Sequence, residues 1–132
     1  MINLLTQAEH DFAVVLRLRN DLGDEWGMQA VMFHLQQAIE KLLKAIIVHS
    51  GKQYPKTSNI GELAALCPKG TKLPEDLYSL ADTLTLWGAE VPYNSDILSD
   101  VKTITKCRQL YLDLHKIVEN IMFESETDVF KT

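Results

Sequence analysis

The sequence lacks the marks of several protein classes. Its two cysteines, Cys67 and Cys107, match neither a zinc-binding spacing nor the framework of a disulfide scaffold. No apolar run approaches the roughly 20 residues of a membrane helix. Glu9, His10 and Asp11 stand where a signal peptide needs its hydrophobic segment. We therefore expect a cytoplasmic protein without membrane contact, whose two cysteines are small buried thiols.

The chain also lacks the basic excess of a protein that binds nucleic acid over its whole surface. Its 132 residues include 13 basic and 18 acidic side chains, a formal charge of −5. Any contact with a polyanion must then be local, and we expect no DNA binding. The length and the 46% hydrophobic content suit one globular domain. We place this domain at residues 1–124 and a polar C-terminal tail at 125–132.

The alternating pattern of β-strands is absent, whereas apolar residues recur every three or four positions in five stretches. This periodicity predicts an all-α, up-and-down bundle of about five helices, one of them very short. We expect the helices at about 4–20, 25–50, 58–66, 74–88 and 97–123. The broad apolar arcs of these helices exceed what five helices can cover among themselves, so we also expect a homodimer.

Capping and anchoring residues can be assigned to these helices. Asp24 and Ser58 are expected to cap the second and third helices, and Gly51 to end the second. Trp26 and Trp87 are expected to anchor the packing. The last helix is expected to begin after one of three capping candidates, Asn94, Ser95 and Asp96.

The last helix carries two polar interruptions of an apolar stripe. The stripe has a 4-3-4-3 spacing, and Arg108 and His115 occupy two of its positions, two helical turns or about 10 Å apart. Both could lie at the edge of the stripe, where the arginine reaches solvent or an acid and the histidine meets a backbone carbonyl. Alternatively, guanidinium and imidazole could meet a phosphodiester, with His115 moving a proton in a metal-independent ribonuclease.

A second cluster of cations lies around the end of the second helix. Between positions 41 and 61 there are four lysines and no acid. These lysines could complement the helix dipole and maintain solubility. They could also bind the phosphates of a nucleotide or RNA. On that hypothesis the ligand-binding residues are Gln37, Lys41, Lys44, Lys52 and Lys56.

Other chemical motifs are missing. The chain has no glycine-rich phosphate loop, no nucleophile elbow and no Glu-x-x-His pair for a di-iron site. We therefore expect no cofactor and no metal.

Two segments resemble the HEPN domain family, small helical proteins often found beside minimal nucleotidyltransferases. AEHDFAVV is similar to the first helix of the family, and WGMQAVMFHLQQAIEKLLKA, followed by a glycine and a proline loop, to the second. The resemblance covers nearly the whole chain. It implies a five-helix bundle that commonly forms homodimers.

The resemblance also implies a choice of functions. Many relatives are ribonuclease toxins of two-gene toxin–antitoxin modules, and others are non-catalytic modules that bind nucleotides or RNA or assist a partner transferase. Catalytic relatives carry an arginine, four to six residues and a histidine, which Arg108 and His115 match with six residues between them. They usually also carry an asparagine after the arginine and a tyrosine two past the histidine, where this chain has Gln109 and Ile117.

These departures favour a binding role over catalysis. We expect a nucleotide- or RNA-binding accessory partner of a minimal nucleotidyltransferase. The alternatives are a ribonuclease toxin, with Arg108 holding phosphate and His115 transferring the proton, and a purely structural dimerisation module.

Overall fold

The computed structural model describes residues 2–89 and 99–131. It contains five helices in these ranges and no strand: α1 (Ile2–Arg17), α2 (Glu25–His49), α3 (Ile60–Leu66), α4 (Glu75–Ala89) and α5 (Val101–Lys131). The predicted all-α bundle is therefore confirmed. None of the helices in the described ranges has the length and apolar content needed to cross a membrane.

Helix α2 is the centre of the bundle, because it contacts each of the other four helices. Its apolar residues form an unusually wide arc, which must be covered from several sides. The fully buried residues include Met32, Leu35, Ala38, Ile39, Leu42, Leu43, Ala45 and Ile47.

The ends of α2 follow from local sequence. The Asp24 carboxylate accepts a hydrogen bond from the Gly27 backbone N–H, as an N-cap does. At the other end Gly51 adopts φ 89°, a left-handed conformation that glycine enters without a steric penalty. The N–H groups of Gly51 and Lys52 then bond to the carbonyls of Val48 and Ile47. Both capping predictions for α2 are confirmed.

Other boundaries differ from the predicted ones. Helix α3 is capped by Asn59 and not by Ser58, because the Asn59 side chain accepts from the Glu62 N–H at 2.9 Å. Asp100 accepts from the Thr103 N–H at 2.6 Å at the start of α5. The candidates Asn94, Ser95 and Asp96 lie outside the described residues. Helix α5 runs to Lys131, past the predicted end at 123, and the division into a domain and a tail remains a prediction.

The two tryptophans have different environments. Trp87 is buried in α4 as expected, but the prediction for Trp26 is wrong, since 82% of it is exposed. Trp26 lies in the first turn of α2, before the helix enters the bundle. The two cysteines are free and buried, as predicted.

Helices α1 and α5 both pack on α2, but in the described residues their own Cα atoms do not approach within 8 Å. Long side chains join them instead. The rings of Phe12 and Tyr111 stack, and Glu9 reaches His115. These pairs show that the two helices run antiparallel, because residue numbers rise along α1 while they fall along α5.

Candidate functional site

His115 lies at the α1–α5 junction between two carboxylates. Its Nε2 is 2.8 Å from Glu9 Oε2, and its Nδ1 is 3.3 Å from Glu119 Oε1. The first sequence hypothesis placed His115 at the edge of the stripe, and the structure agrees with that position. The hypothesis gave the imidazole a backbone carbonyl as its partner, whereas its partners are carboxylates. Glu119 is one turn later in α5, so its position could have been inferred from i,i+4 spacing. Glu9 could not, because it is 106 positions away.

Tyr111 and Phe12 form the floor of this junction. Their rings stack with centroids 4.0 Å apart and planes 13° from parallel, and the His115 ring lies 5.7 Å from that of Tyr111. Burial, together with the carboxylates of Glu9, Glu119 and Asp11, raises the pKa of Tyr111 above its ordinary value. The phenol is therefore held neutral and is no candidate for a general base.

Arg108 is half-buried and lies two turns before His115 on the same side of α5. Within residues 2–89 and 99–131 it forms no hydrogen bond and no ion pair. The core-facing line of α5 runs beside it, through Ile104, Cys107, Leu110, Tyr111, Leu114 and Val118. Arg108 and His115 therefore share one edge of the core stripe, as the first of the two sequence hypotheses states.

A second polar cluster lies on the other flank of α1. Asp11 Oδ1 and His34 Nδ1 are hydrogen-bonded at 2.8 Å, and Lys41 Nζ donates to Asp11 Oδ2 at 2.6 Å. Burial alone would raise the pKa of the Asp11 carboxyl, but these two partners outweigh it and hold the pKa below the ordinary value. Sequence reasoning missed this cluster, although the spacing of seven residues between His34 and Lys41 places both on one side of α2.

The remaining predicted ligand residues of α2 belong to a third network. Gln37 donates to Gln36 Oε1 at 2.7 Å, and Gln36 donates to Glu40 Oε1 at 2.9 Å. Lys44 donates to Glu40 Oε2 at 3.0 Å, one helical turn away. Its Nζ also lies 4.9 Å from the centre of the Tyr54 ring, within cation–π range.

The structure therefore divides the predicted lysine cluster in two. Lys41 pairs with Asp11, which is distant in sequence, and Lys44 pairs with Glu40, which is one helical turn away. Lys52 and Lys56 are exposed in the loop between α2 and α3 and form no ion pair with any described residue. The half-exposed ring of Tyr54 lies between them in sequence. The loop thus presents two unpaired ammonium groups and an aromatic ring.

A family model described as HEPN domain matches residues 2–122. The chain belongs to the HEPN family. No curated protein and no solved structure matches it. Membership of the HEPN family supports a role connected with nucleotides or RNA in general. In the described residues, this HEPN domain has no group of three His, Cys, Asp or Glu side chains placed to hold a metal ion.

Proposed function

We propose that this HEPN domain is a nucleotide- or RNA-binding accessory partner of a minimal nucleotidyltransferase in a two-gene, toxin–antitoxin-like module, and that it works as a homodimer without robust catalysis of its own. The observation that carries the binding role is the loop with Lys52, Tyr54 and Lys56. Two lysines without acidic partners provide ammonium groups for phosphate oxygens. An exposed tyrosine offers a face on which a base can stack.

The ribonuclease alternative is less well supported by the geometry. Both ring nitrogens of His115 face carboxylate oxygens of the same chain, at 2.8 Å and 3.3 Å. A general base must lie within hydrogen-bond reach of the hydroxyl that it deprotonates. A substrate would first have to displace Glu9 or Glu119, and those carboxylates would also repel its phosphates.

The binding proposal is tested by thermal unfolding with ATP, GTP and a short RNA, each at millimolar concentration. A ligand present at 100 times its Kd stabilises the folded state by about 2.7 kcal/mol, a shift of several degrees for a domain of this size. We expect at least one of the three to raise Tm. The variant K52Q/K56Q should lose at least half of that shift.

A matched control is available in the next loop. Lys69 and Lys72 are also exposed loop lysines, so K69Q/K72Q makes the same change in charge in the loop between α3 and α4, outside the loop that carries Tyr54. It should retain the full ligand-induced shift. The binding proposal fails if no ligand raises Tm, or if the two double variants lose the shift equally.

Incubation of the protein with total RNA in EDTA tests the catalytic alternative. RNA that stays intact at high protein concentration agrees with an accessory role. Cleavage that disappears in H115A would replace our proposal with the ribonuclease. A minimal nucleotidyltransferase encoded beside this chain would support both functions over a purely structural module.

A further inference from the structure

Helix α4 packs one side against the bundle and leaves the opposite side exposed. The core side is formed by Leu77, Ala81, Leu84 and Trp87, which are buried. On the outer side Tyr78 is 60% exposed and Leu86 is 43% exposed. Exposed apolar side chains that share one face of an element are typical of a protein-binding surface, and tyrosine is enriched in such surfaces.

Tyr78 and Leu86 belong to a short stripe that also carries two exposed acids, Glu75 and Asp82. Asp82, Glu75 and Leu86 lie about 40°, 60° and 80° from Tyr78 around the helix axis, so the four residues share one quarter of the helix surface. The stripe is about 16 Å long, and acidic and apolar side chains alternate along it. We call these four residues the α4 stripe.

The charge of the α4 stripe is negative and is not compensated within the described chain. The sequence from position 73 to position 100 contains no lysine, arginine or histidine. Glu75 and Asp82 form no ion pair with any residue of 2–89 or 99–131. Lys72 and Lys102, the cations that flank this segment in sequence, form no ion pair in these ranges either. The stripe therefore combines exposed apolar surface with unpaired carboxylates.

This combination selects among the possible occupants of the stripe. A second copy of the stripe would place carboxylates against carboxylates, which opposes self-association here. The phosphates of a nucleotide, an RNA or an anionic lipid would be repelled in the same way. A protein segment with both cationic and apolar side chains fits, because its cations pair with the carboxylates while its apolar groups cover Tyr78 and Leu86.

The spacing along the stripe indicates that this segment is a helix. Glu75 and Asp82 are seven residues and about 10 Å apart, which is also the distance between two cations seven residues apart on a second helix. Tyr78 follows Glu75 by three residues and Leu86 follows Asp82 by four, the intervals at which apolar side chains recur along the seam between two helices. An amphipathic helix with a cation every seven residues and leucines between them therefore matches the stripe.

We propose that the α4 stripe docks a basic amphipathic helix of a second protein, with two cations of that helix paired to Glu75 and Asp82 and its apolar side chains packed on Tyr78 and Leu86. This surface rests on the accessory role of the proposed function and specifies the chemistry of the segment that the partner contributes. It differs from the ligand-binding loop in the sign of its charge and in the part of the chain that forms it.

A designed peptide tests the surface. The probe is a fluorescently labelled helical peptide of about 18 residues, long enough to form a helix, with arginines seven residues apart and leucines between them. Its binding to the full chain is measured by fluorescence anisotropy, and we expect a Kd below about 100 µM at low salt. The same peptide with glutamate in place of arginine should bind at least about 10-fold more weakly. Salt at about 0.5 M should weaken the arginine peptide, because it screens exposed ion pairs.

Two double variants of the chain locate the peptide on the stripe. Y78S/L86S should raise Kd at least about 10-fold, because it removes the apolar contact. E75Q/D82N should raise Kd at least about fivefold at low salt, because it removes both carboxylates and keeps the shape of the side chains. All four positions are on the outer side of α4, so circular dichroism should show that both variants remain folded.

Matched controls make the same chemical changes elsewhere. L16S/W26S also removes an exposed leucine and an exposed aromatic ring, 38% and 82% exposed, at the ends of α1 and α2 that adjoin their connecting turn. D113N/E124Q removes two exposed carboxylates of α5. Both controls should leave Kd within about twofold of the wild-type value.

The outcomes separate this surface from the ligand-binding role. No binding of the arginine peptide at about 1 mM, or equal binding of the arginine and glutamate peptides, would overturn the surface. Equal losses in E75Q/D82N and D113N/E124Q would show that the peptide responds to net charge alone, and equal losses in the two serine variants would show that it binds any apolar group. Either result also overturns the surface. None of these results alters the ligand shift expected from Lys52 and Lys56.

Discussion

The rings of Phe12 and Tyr111 stack face to face between α1 and α5, although the backbones of these two helices are not in contact. The ring centroids are 4.0 Å apart, while no described Cα of α1 lies within 8 Å of one in α5. This aromatic pair therefore carries much of the direct packing between the first and last helices. The Glu9–His115 hydrogen bond lies one turn away.

We expect F12A to destabilise the fold by about 3–5 kcal/mol, since it removes a buried ring and leaves a cavity against Tyr111. Urea unfolding followed by circular dichroism measures the loss. Y111F keeps the ring and should cost much less. A loss below about 1 kcal/mol for F12A would show that α2 alone holds α1 in place.

Acid should weaken the contact between α1 and α2 through Asp11. Because the folded-state pKa of this carboxyl lies below its ordinary value of 3.8, its contribution to stability is complete above that value and is lost as the pH falls through the folded pKa. D11N should cost about 1–3 kcal/mol at pH 7, since it leaves Lys41 and His34 without their anion. The difference from the wild type should shrink toward about pH 3.

Urea unfolding at several pH values measures this dependence. The control is D82N, which removes an exposed carboxylate of α4, and its stability difference from the wild type should stay near zero at every pH. A stability difference for D11N that is the same at pH 7 and at pH 3 would contradict the assignment.

Gly27, in the first turn of α2, should be less replaceable than Gly23 in the turn before it. A Cβ built at Gly27 would overlap the backbone carbonyl of Asp21, and backbone cannot move aside cheaply. We expect G27A to destabilise by about 1–3 kcal/mol. Gly23, four residues earlier, has open space around its Cβ position, so G23A should change stability by less than about 1 kcal/mol. Equal Tm values for the two variants would show that the turn rearranges.

Both cysteines should be inert while the chain is folded. Burial raises the pKa of Cys67 to about 11 and that of Cys107 to about 12, so very little thiolate exists at pH 8. A thiol reagent should modify neither residue in native buffer and both in concentrated urea. Rapid labelling of Cys67 in native buffer would show that the loop around it opens.

Local sequence determined most of the helical frame. The three-and-four spacing of apolar residues fixed five helices, and Asp24 and Gly51 fixed the ends of α2, because caps depend on groups only a few residues away. The placement of Asp100 at the start of α5 also depends on a neighbour, Thr103. It was missed because three other capping residues precede it in sequence.

Fewer features of the candidate site than of the helices could be predicted from the sequence. The positions of Arg108 and His115 on one helical edge followed from periodicity. The pair of Glu40 and Lys44 has the four-residue spacing that brings two side chains together on a helix. The position of Trp26 did not follow, because an aromatic residue in a first helical turn can point into a bundle or away from it. The way in which the end of α1 packs against α2 decides which side of this first turn is covered.

Sequence by itself determined which residues recur on one face of each helix, and hence a helical bundle with a cation and an imidazole along the edge of its last helix. Tertiary structure decided which acids reach those groups: Glu9 crosses from α1 to His115, and Asp11 crosses to His34 and Lys41. The reason is that helix periodicity is a local property of the chain, whereas the pairing of charges depends on the angle and distance between helices. Packing of the whole core sets that angle and distance.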